Sequence, residues 1–273
     1  MVKRLSKKIS KKLKNYYINF KSKKMAKIAD KIILTFKEAA NPQKAQHSQR
    51  FFKTAKGEYG EGDLFLGVTV PQVRSIVKQY QNQVKIEDLV ELADLLIIHY
   101  HEVRLSALLL LLELFKGAST QTAKKQIVDF YLAHSAYVNS WDLVDLSADK
   151  ILGQYLLETN QNKPLQQAPS LLINLAKSEM LWERRIAVLS TFAFIRAGEF
   201  LPTLKLAKIL LNDQEDLIHK AVGWLLREVG KRDEKSLINF LDQYTLQMPR
   251  TMLRYAIEKL PENKRQFYLN KKY

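Results

Sequence analysis

Cysteine is absent from the 273 residues of the chain, and its absence excludes disulfide bonds, cysteine-ligated zinc sites and thiol nucleophiles together. Long hydrophobic runs are also lacking. The longest apolar stretches, such as residues 105–112, are far shorter than the roughly 20 residues that cross a bilayer. The N-terminus also lacks the apolar centre of a secretion signal. We therefore expect a soluble cytoplasmic protein with no membrane partner.

Acidic residues are outnumbered in this sequence and are missing from its first 24 positions. The chain has 44 lysines and arginines against 28 aspartates and glutamates, which gives a net charge of +16. Such an excess favours a polyanionic partner, with nucleic acid ahead of an acidic membrane surface. Ten of the cations fall in residues 1–24. The remaining chain, at about +6, is therefore only moderately basic.

The first 24 residues predict a basic N-terminal extension to a single domain that spans residues 25–273. Tyr16, Tyr17 and Phe20 are interleaved with the cations, a combination that suits an arm contacting nucleic acid. The segment also fits a flexible tail without a specific role. A transit peptide is the third alternative, which the lack of acids supports and the use of lysine instead of arginine weakens.

Beyond the extension, apolar residues recur with helical period along almost the whole chain. Asn41 and Pro42 predict the end of a first helix, and residues 43–56 can form a second. The loop at residues 57–63 holds three glycines, but no Lys-Ser or Lys-Thr pair follows it and its acids repel phosphate. It therefore does not fit a nucleotide-binding loop. We interpret it as a surface turn that leads into a helix starting near Pro71.

A loose repeat indicates the architecture. Similar short segments surround Arg104, Arg184, His219 and Arg254 at intervals of 80, 35 and 35 residues, and Val144 falls midway through the first interval. Units of about 35 to 40 residues with two apolar helical stretches are typical of HEAT-like solenoids. Strand patterns are scarce, and glycine and proline fall between the helical stretches. We therefore predict an all-α, HEAT-like helical-repeat solenoid with a concave basic face that can follow a duplex.

The stretch at residues 137–145 is the strongest candidate for chemistry. If it is helical, Trp141 and Asp145 share one face, with Asp142 one turn from Asp145. A ring face and a carboxylate that point the same way suit a flat cationic ligand. The alternative is an ordinary amphipathic helix whose tryptophan is core and whose aspartates are solvated.

The other two tryptophans, Trp182 and Trp224, lie close to cations in the sequence. These cations are Arg184, Arg185, Lys220 and Arg227. Aromatic rings interleaved with cations suit nucleic acid, because cations hold phosphate while rings pack on sugar or base. The alternative is that each tryptophan fills the core between helix pairs.

The histidine and carboxylate patterns do not indicate a second catalytic site or a metal site. His99 and His101 are two residues apart and would face differently on a helix. No His-Glu-x-x-His motif or carboxylate cluster has metal-ligand spacing. The other three histidines are isolated, and no Gly-x-Ser-x-Gly elbow is present. We expect neither a metal nor a cofactor.

Five motifs, taken in order, resemble those of the AlkD-like DNA alkylation repair glycosylases. These are all-helical proteins of HEAT-like repeats that remove cationic N7- or N3-alkylated purines from DNA. The motifs are Asn41-Pro42 with Arg50, Phe65-Leu-Gly-Val-x-x-Pro71-x-x-Arg74, Trp141-Asp-Leu-Val-Asp145, Trp182-Glu-Arg-Arg185-x-Ala187, and Lys220-Ala-Val-Gly-Trp224-Leu-Leu-Arg-Glu228. The resemblance covers residues from about 30 to about 262. Each motif is weak alone, whereas the five in order are specific for the family.

The resemblance implies a role for several residues. Asp145 is expected to be the catalytic carboxylate, Trp141 and Trp224 to flank the lesion-bearing nucleotide, and Arg185 to hold a backbone phosphate near the lesion. Asp142 then becomes a structural residue. We add the neighbouring cations as further DNA-binding residues, namely Arg184, Lys220 and Arg227.

The resemblance further implies the reaction. The enzyme is expected to release bases of the 7-methylguanine and 3-methyladenine type from duplex DNA, with the lesion kept in the stack. No lysine has a family counterpart as a Schiff-base nucleophile, so we expect a monofunctional glycosylase that leaves the strand intact. No obligate protein partner is expected.

Two departures from the family pattern suggest a branch with a different substrate range. Phe51 stands where better-studied members carry a tyrosine, and the loop at residues 57–63 is longer than in those members. A non-catalytic HEAT-repeat module that binds nucleic acid or protein is the alternative, because fold does not settle function. An RNA-binding scaffold is a third interpretation.

Overall fold

The structure, a computed structural model, describes residues 27–159 and 168–271. The predicted basic extension at residues 1–24 lies outside them. The helices are α1 (Ile28–Glu38), α2 (Pro42–Phe51), α3 (Val70–Tyr80), α4 (Leu89–Leu96), α5 (His101–Gly117), α6 (Gln121–Ala133), α7 (Trp141–Ser147), α8 (Gln154–Thr159), α9 (Ser170–Ala176), α10 (Leu181–Arg196), α11 (Leu201–Ile209), α12 (Asp216–Gly230), α13 (Glu234–Tyr244), α14 (Arg250–Ala256) and α15 (Glu262–Asn270). A π-helical turn, Asp149–Gly153, joins α7 to α8. Three 3₁₀ turns are Ile86–Asp88, Ser135–Tyr137 and Thr245–Gln247.

The boundaries of α2 follow from local chemistry. The Asn41 side chain accepts a hydrogen bond from the backbone N–H of Lys44 and caps the helix. Pro42 takes the first helical position, where its missing donor costs nothing. The helix ends at Phe51, earlier than the predicted end at residue 56. It stops because Lys53 adopts a left-handed conformation with a φ of 51°, which a right-handed helix does not accommodate.

Five helices recur at a nearly constant interval. Helices α5, α7, α10, α12 and α14 begin at residues 101, 141, 181, 216 and 250, so successive members start 34 to 40 residues apart. They pack in series, α5 on α7, α7 on α10, α10 on α12 and α12 on α14, and they contribute to one buried hydrophobic core. The prediction of an all-α helical-repeat fold is confirmed. Within the described ranges, strand-like pairing is limited to one bridge between Leu64 and Tyr100.

In the same part of the chain, no helix combines the length and hydropathy needed to cross a membrane.

Helices α12 and α14 approach each other closely at Gly223. A Cβ atom at this position would lie 2.5 Å from the carbonyl oxygen of Met252 and 2.6 Å from the Cβ of Tyr255. A larger residue therefore could not fit without separating the two helices. This contact sets the spacing between Trp224 on α12 and Tyr255 on α14.

A buried carboxylate ties the segment after the 57–63 loop to α5. Glu102 accepts hydrogen bonds of 2.8 to 3.3 Å from the backbone N–H groups of Leu66, Gly67 and Val68. Gly67 has a φ of 76°, and a Cβ there would lie 2.1 Å from the carbonyl oxygen of Asn41. Only glycine fits this turn, which fixes where the preceding loop ends.

A buried ion network joins α5 to α7. The Nδ1 atom of His101 lies 3.3 Å from an Asp63 oxygen, and its Nε2 atom lies 2.8 Å from an Asp142 oxygen. One turn further along α5, Arg104 pairs with Asp63 at 2.5 Å and donates a hydrogen bond to the Asn139 side chain. Asp63 ends the 57–63 loop and Asp142 lies in the first turn of α7. The network therefore holds three separate parts of the chain together.

Charge in this network shifts the pKa of its titratable members. Burial alone would lower the pKa of His101, but hydrogen bonds to Asp142 and Asp63 outweigh burial and raise that pKa above its ordinary value of 6.5. Burial alone would raise the pKa values of Asp63 and Asp142. Hydrogen bonds from His101, together with Arg104 at Asp63, instead hold both pKa values below the ordinary 3.8. The folded protein therefore favours an imidazolium between two carboxylates.

We expect this network to make stability fall as pH rises. The stabilisation from protonated His101 is complete below the unfolded pKa of 6.5 and is lost as pH rises through the higher folded pKa. The two aspartates, with lowered pKa values, stay ionised throughout that window. His101→Gln should lower the free energy of unfolding by about 3 kcal/mol near pH 6, and by less near pH 9. Urea unfolding of both proteins at the two pH values measures this, and an equal loss at both would contradict a charged imidazole.

Candidate functional site

Helix α7 presents its two aspartates to different surroundings. The hydroxyl of Ser140 donates to Asp142 at 2.7 Å, while His101 holds the other oxygen of the same carboxylate. Their spacing predicted that Trp141 and Asp145 share one face of a helix, and in the structure both residues line an open cleft. Asp142 therefore anchors the helix, and Asp145 faces the space where a ligand can bind.

The cleft has a volume of about 670 Å³. Its walls come from α7, α10, α12 and α14, together with the end of α2 and the loop that follows it. The structure brings six of the predicted site residues to this cleft, namely Trp141, Asp145, Arg185, Lys220, Trp224 and Arg227. The rest of the lining is Phe51, Lys53, Glu58, Tyr59, Glu215, Asp216, Leu217, Ala221 and Tyr255.

Arg185 donates a hydrogen bond to each carboxylate oxygen of Asp145. Its Nε and Nη2 atoms each donate at 2.9 Å, and its Nη1 atom donates to the backbone carbonyl of Leu217 at 2.6 Å. The Arg185 side chain is 6% exposed and that of Asp145 is 21% exposed, so the carboxylate is the accessible partner. Two parallel hydrogen bonds fix the plane of the carboxylate. We refer to this pair as the Asp145–Arg185 clamp.

The clamp changes the interpretation of Arg185. We expected its guanidinium to bind a phosphate near the lesion, but Asp145 and Leu217 already engage three of its five N–H donors. Because only 6% of the side chain is exposed, little of the guanidinium is open to a phosphate, and this contact stays a prediction. The position of Arg185 instead suits the task of orienting Asp145.

The surroundings of Asp145 act on its pKa in opposite directions. Burial raises the pKa of the carboxyl above its ordinary value of 3.8, Arg185 opposes this rise, and the neighbouring Asp142 and Asp149 add to it. A bidentate guanidinium strongly favours the ionised form. The clamp therefore favours the ionised form of Asp145, while burial removes part of the water around the carboxylate.

Arg184, the next residue on α10, lies outside the cleft. Its Nε and Nη2 atoms pair with Asp213 at 2.6 and 3.2 Å, and its Nη1 atom donates to the backbone carbonyls of Ser178 and Glu179. These contacts join α10 to the turn before α12. A DNA contact for Arg184 stays a prediction, and it would require these partners to be released.

Lys220 and Arg227 line the cleft with acidic partners. Lys220 pairs with Asp216 at 2.7 Å, and both side chains are well exposed. Arg227 pairs with Glu258, which follows α14. Because exposed ion pairs contribute little to stability, a bound polyanion can replace Asp216 as the partner of Lys220 at small cost.

Stacked aromatic rings pack against one face of the Trp141 indole. Phe52 stacks on the Trp141 ring with centroids 5.7 Å apart and 14° between the planes, and Phe65 stacks on Phe52 at 5.0 Å. Phe51 meets the edge of Trp141 at 6.2 Å and is itself 60% exposed. The Trp141 indole is therefore held at the cleft wall by its contacts with the neighbouring rings.

The three tryptophans divide between core and cleft. Trp182 is 8% exposed and belongs to the hydrophobic core, which is the alternative that the sequence left open. Trp141 and Trp224 are half-buried and line the cleft. The rings of Trp141 and Trp224 therefore border the same space as the Asp145 carboxylate.

Some residues that contribute to the site were not predicted from the sequence. We interpreted the 57–63 loop as a surface turn, yet Tyr59 lines the cleft and Asp63 is buried against His101. Spacing could not reveal these contacts because Asp63 and His101 lie 38 residues apart. A tyrosine within an otherwise acidic, glycine-rich loop was the one available signal.

The chemistry available at the cleft centres on the Asp145 carboxylate, which shares the space with aromatic rings. Among the described residues, no group of three or more histidines or carboxylates is arranged to hold a metal ion. An ionised, partly desolvated carboxylate can stabilise positive charge that develops next to it, and it can orient a water molecule. The rings can pack on sugar or base.

Comparisons with known proteins identify the fold and the family of the chain. A solved structure, the predicted DNA alkylation repair enzyme from Enterococcus faecalis, is similar to this chain with a TM-score of 0.65 and 20% sequence identity. The match covers 82% of this chain and 97% of that one, and at this identity it shows the fold alone. No curated protein matches the sequence significantly. The family model for DNA alkylation repair enzymes matches residues 32–260, and since this is most of the sequence, the chain belongs to the DNA alkylation repair enzyme family.

Proposed function

We propose that the protein is a monofunctional DNA glycosylase that excises cationic alkylated purines, of the 7-methylguanine and 3-methyladenine type, from duplex DNA. The observation that carries the proposal is the clamped carboxylate of Asp145, which lies in a cleft shared with Trp141 and Trp224. Family membership supports a role in alkylation repair.

The chemistry requires little beyond this carboxylate. Alkylation at N7 or N3 places positive charge on the purine, so the base leaves as a neutral molecule and needs no general acid. Positive charge then develops on the sugar. Asp145 stabilises the oxocarbenium-like transition state and orients the water that attacks it. The product is an abasic site in an unbroken strand.

The remaining cleft residues contact different parts of the bound DNA or orient Asp145. Trp141 and Trp224 pack against the nucleotide that carries the lesion. Lys220 and Arg227 neutralise backbone phosphates by exchanging their acidic partners for the polyanion. Arg185 acts through Asp145, because it fixes the carboxylate plane and keeps it ionised.

Replacing the carboxylate should separate chemistry from binding. Asp145→Asn keeps the side-chain shape but removes the negative charge, so release of 7-methylguanine from methylated duplex DNA should fall at least about 100-fold. Affinity for the duplex should change little. Single-turnover base release and a binding titration measure the two effects, and unchanged release would remove Asp145 from the mechanism.

Asp213→Asn provides the matched control. It breaks the bidentate ion pair with Arg184, the residue next to Arg185 on the same helix, and neither Asp213 nor Arg184 lines the cleft. It should lower stability while base release stays within about three-fold of wild type. If wild-type protein binds duplex DNA in a salt-dependent manner but does not distinguish methylated DNA and releases no base, the protein is the non-catalytic module instead.

The acid limb of the pH–rate profile should depend on Arg185. Base release needs ionised Asp145, whose pKa lies above 3.8, so the enzymatic rate should fall tenfold per pH unit below that pKa. Arg185→Gln removes the positive charge that opposes the rise in the Asp145 pKa. The acid limb of the pH–rate profile should therefore shift to higher pH. Rates corrected for spontaneous depurination measure this effect. A limb at the same pH in both proteins would show that Arg185 does not control ionisation.

A further inference from the structure

Helix α14 forms the wall of the cleft that lies farthest from Asp145 along the repeat. The helices pack in the order α7, α10, α12 and α14, and Asp145 lies on the first of them. Tyr255 is the α14 residue that lines the cleft. A DNA strand that reaches both Asp145 and Tyr255 must therefore extend along the cleft across α10 and α12.

Close packing of α12 and α14 sets the position of Tyr255. Its Cβ atom lies 2.6 Å from the point that a Cβ on Gly223 would occupy, and the carbonyl oxygen of Met252 lies 2.5 Å from the same point. Because glycine has no side chain, the Tyr255 side chain begins directly against the backbone of α12. Gly223 therefore determines which part of α12 the tyrosine lies beside.

Two cations on α12 flank this point. Lys220 lies three residues before Gly223 and Arg227 lies four residues after it, so the three positions share one face of the helix. The two cations are seven residues apart, which corresponds to about 10 Å along the helix axis. Both line the cleft together with Tyr255. Tyr255 therefore lies between two side chains that can neutralise phosphates.

The Tyr255 side chain is open to a ligand. It is 37% exposed, and within the described residues no aromatic ring packs on it and no hydrogen bond engages its hydroxyl. Trp141 and Trp224, by contrast, pack on Phe52 and Phe192. An exposed ring on the wall of a basic cleft is available to pack on a sugar or a base.

We propose that Tyr255 is a further DNA-binding residue, whose ring packs on the sugar of a nucleotide that flanks the lesion, between phosphates held by Lys220 and Arg227. Sugars alternate with phosphates along a strand, so a ring between two cations meets a sugar where the cations meet phosphates. The inference rests on the proposed function, because it requires duplex DNA in the cleft. It extends the bound strand to α14.

Equilibrium binding to an unmodified duplex tests this contact directly. Tyr255→Ala should weaken affinity about 10-fold, as expected for the loss of one aromatic contact. Tyr255→Phe keeps the ring and should stay within about three-fold of wild type. Wild-type affinity in Tyr255→Ala would overturn the proposal. An equal loss in both variants would also overturn it, because the ring would then contribute nothing.

Phe267→Ala is the matched control. Phe267 is a 60% exposed aromatic residue of α15 that does not line the cleft, so its truncation should leave affinity at the wild-type value. A loss equal to that of Tyr255→Ala would overturn the proposal, since the effect would not be specific to the cleft. Circular dichroism checks that each variant is folded. If Tyr255→Ala unfolds, Tyr255→Leu replaces it, because leucine keeps an apolar side chain against Gly223.

Salt dependence separates a direct contact from an indirect effect on the neighbouring cations. A neutral ring releases no counterions, so Tyr255→Ala should leave the slope of log affinity against log salt concentration unchanged. Lys220→Ala should reduce the magnitude of that slope by about 0.9. A comparable change in Tyr255→Ala would overturn the direct contact, because the substitution would then act by displacing Lys220 or Arg227.

Single-turnover release of 7-methylguanine separates this inference from the proposed function. At saturating protein, Tyr255→Ala should release the base within about three-fold of the wild-type rate, but more protein should be needed to reach that rate. A large fall in the saturated rate would overturn a role in binding alone. If wild-type protein binds the duplex and releases no base, the proposed glycosylase activity fails, and the affinities still decide the role of Tyr255. If wild-type protein binds no duplex, both proposals fail.

Discussion

The bidentate pair between Asp145 and Arg185 is the interaction on which the site depends. Arg185 is almost fully buried, and a buried guanidinium is costly unless its donors are satisfied. Asp145 and the carbonyl of Leu217 engage three of its five N–H donors. The same contact opposes the tendency of burial to neutralise Asp145. One pair of side chains therefore joins α7, α10 and α12 and holds the carboxylate that the proposed mechanism uses.

Much of the fold follows from patterns visible in the sequence. Helices α5, α7, α10, α12 and α14 begin 34 to 40 residues apart. Each of them corresponds to a stretch with apolar helical periodicity that is visible in the sequence. The grouping of Trp141, Asp145 and Trp224 at one cleft also agrees with the prediction from their motifs. A repeat places equivalent helices side by side, so residues on the same face of successive helices can converge.

The roles of the arginines could not be predicted in the same way. Arg184 and Arg185 are adjacent in sequence, but neighbours on a helix point about 100° apart. One therefore meets Asp213 and the other Asp145, both distant in the chain. The positions of Tyr59 and of the His101 network could not be predicted for the same reason, since the 57–63 loop brings Asp63 to His101 on α5 and Tyr59 to Trp182 on α10. Periodicity identifies the face of a helix but not the acceptor opposite it.

The central claim is that one ionised carboxylate acts on a sugar whose base is already a cation. Single-turnover base release from two duplexes that differ in one lesion tests it most directly, with cationic 7-methylguanine in one and neutral O6-methylguanine in the other. The account predicts release of the cationic base well above its spontaneous rate and retention of the neutral one. Binding of both duplexes with neither base released above background would contradict it.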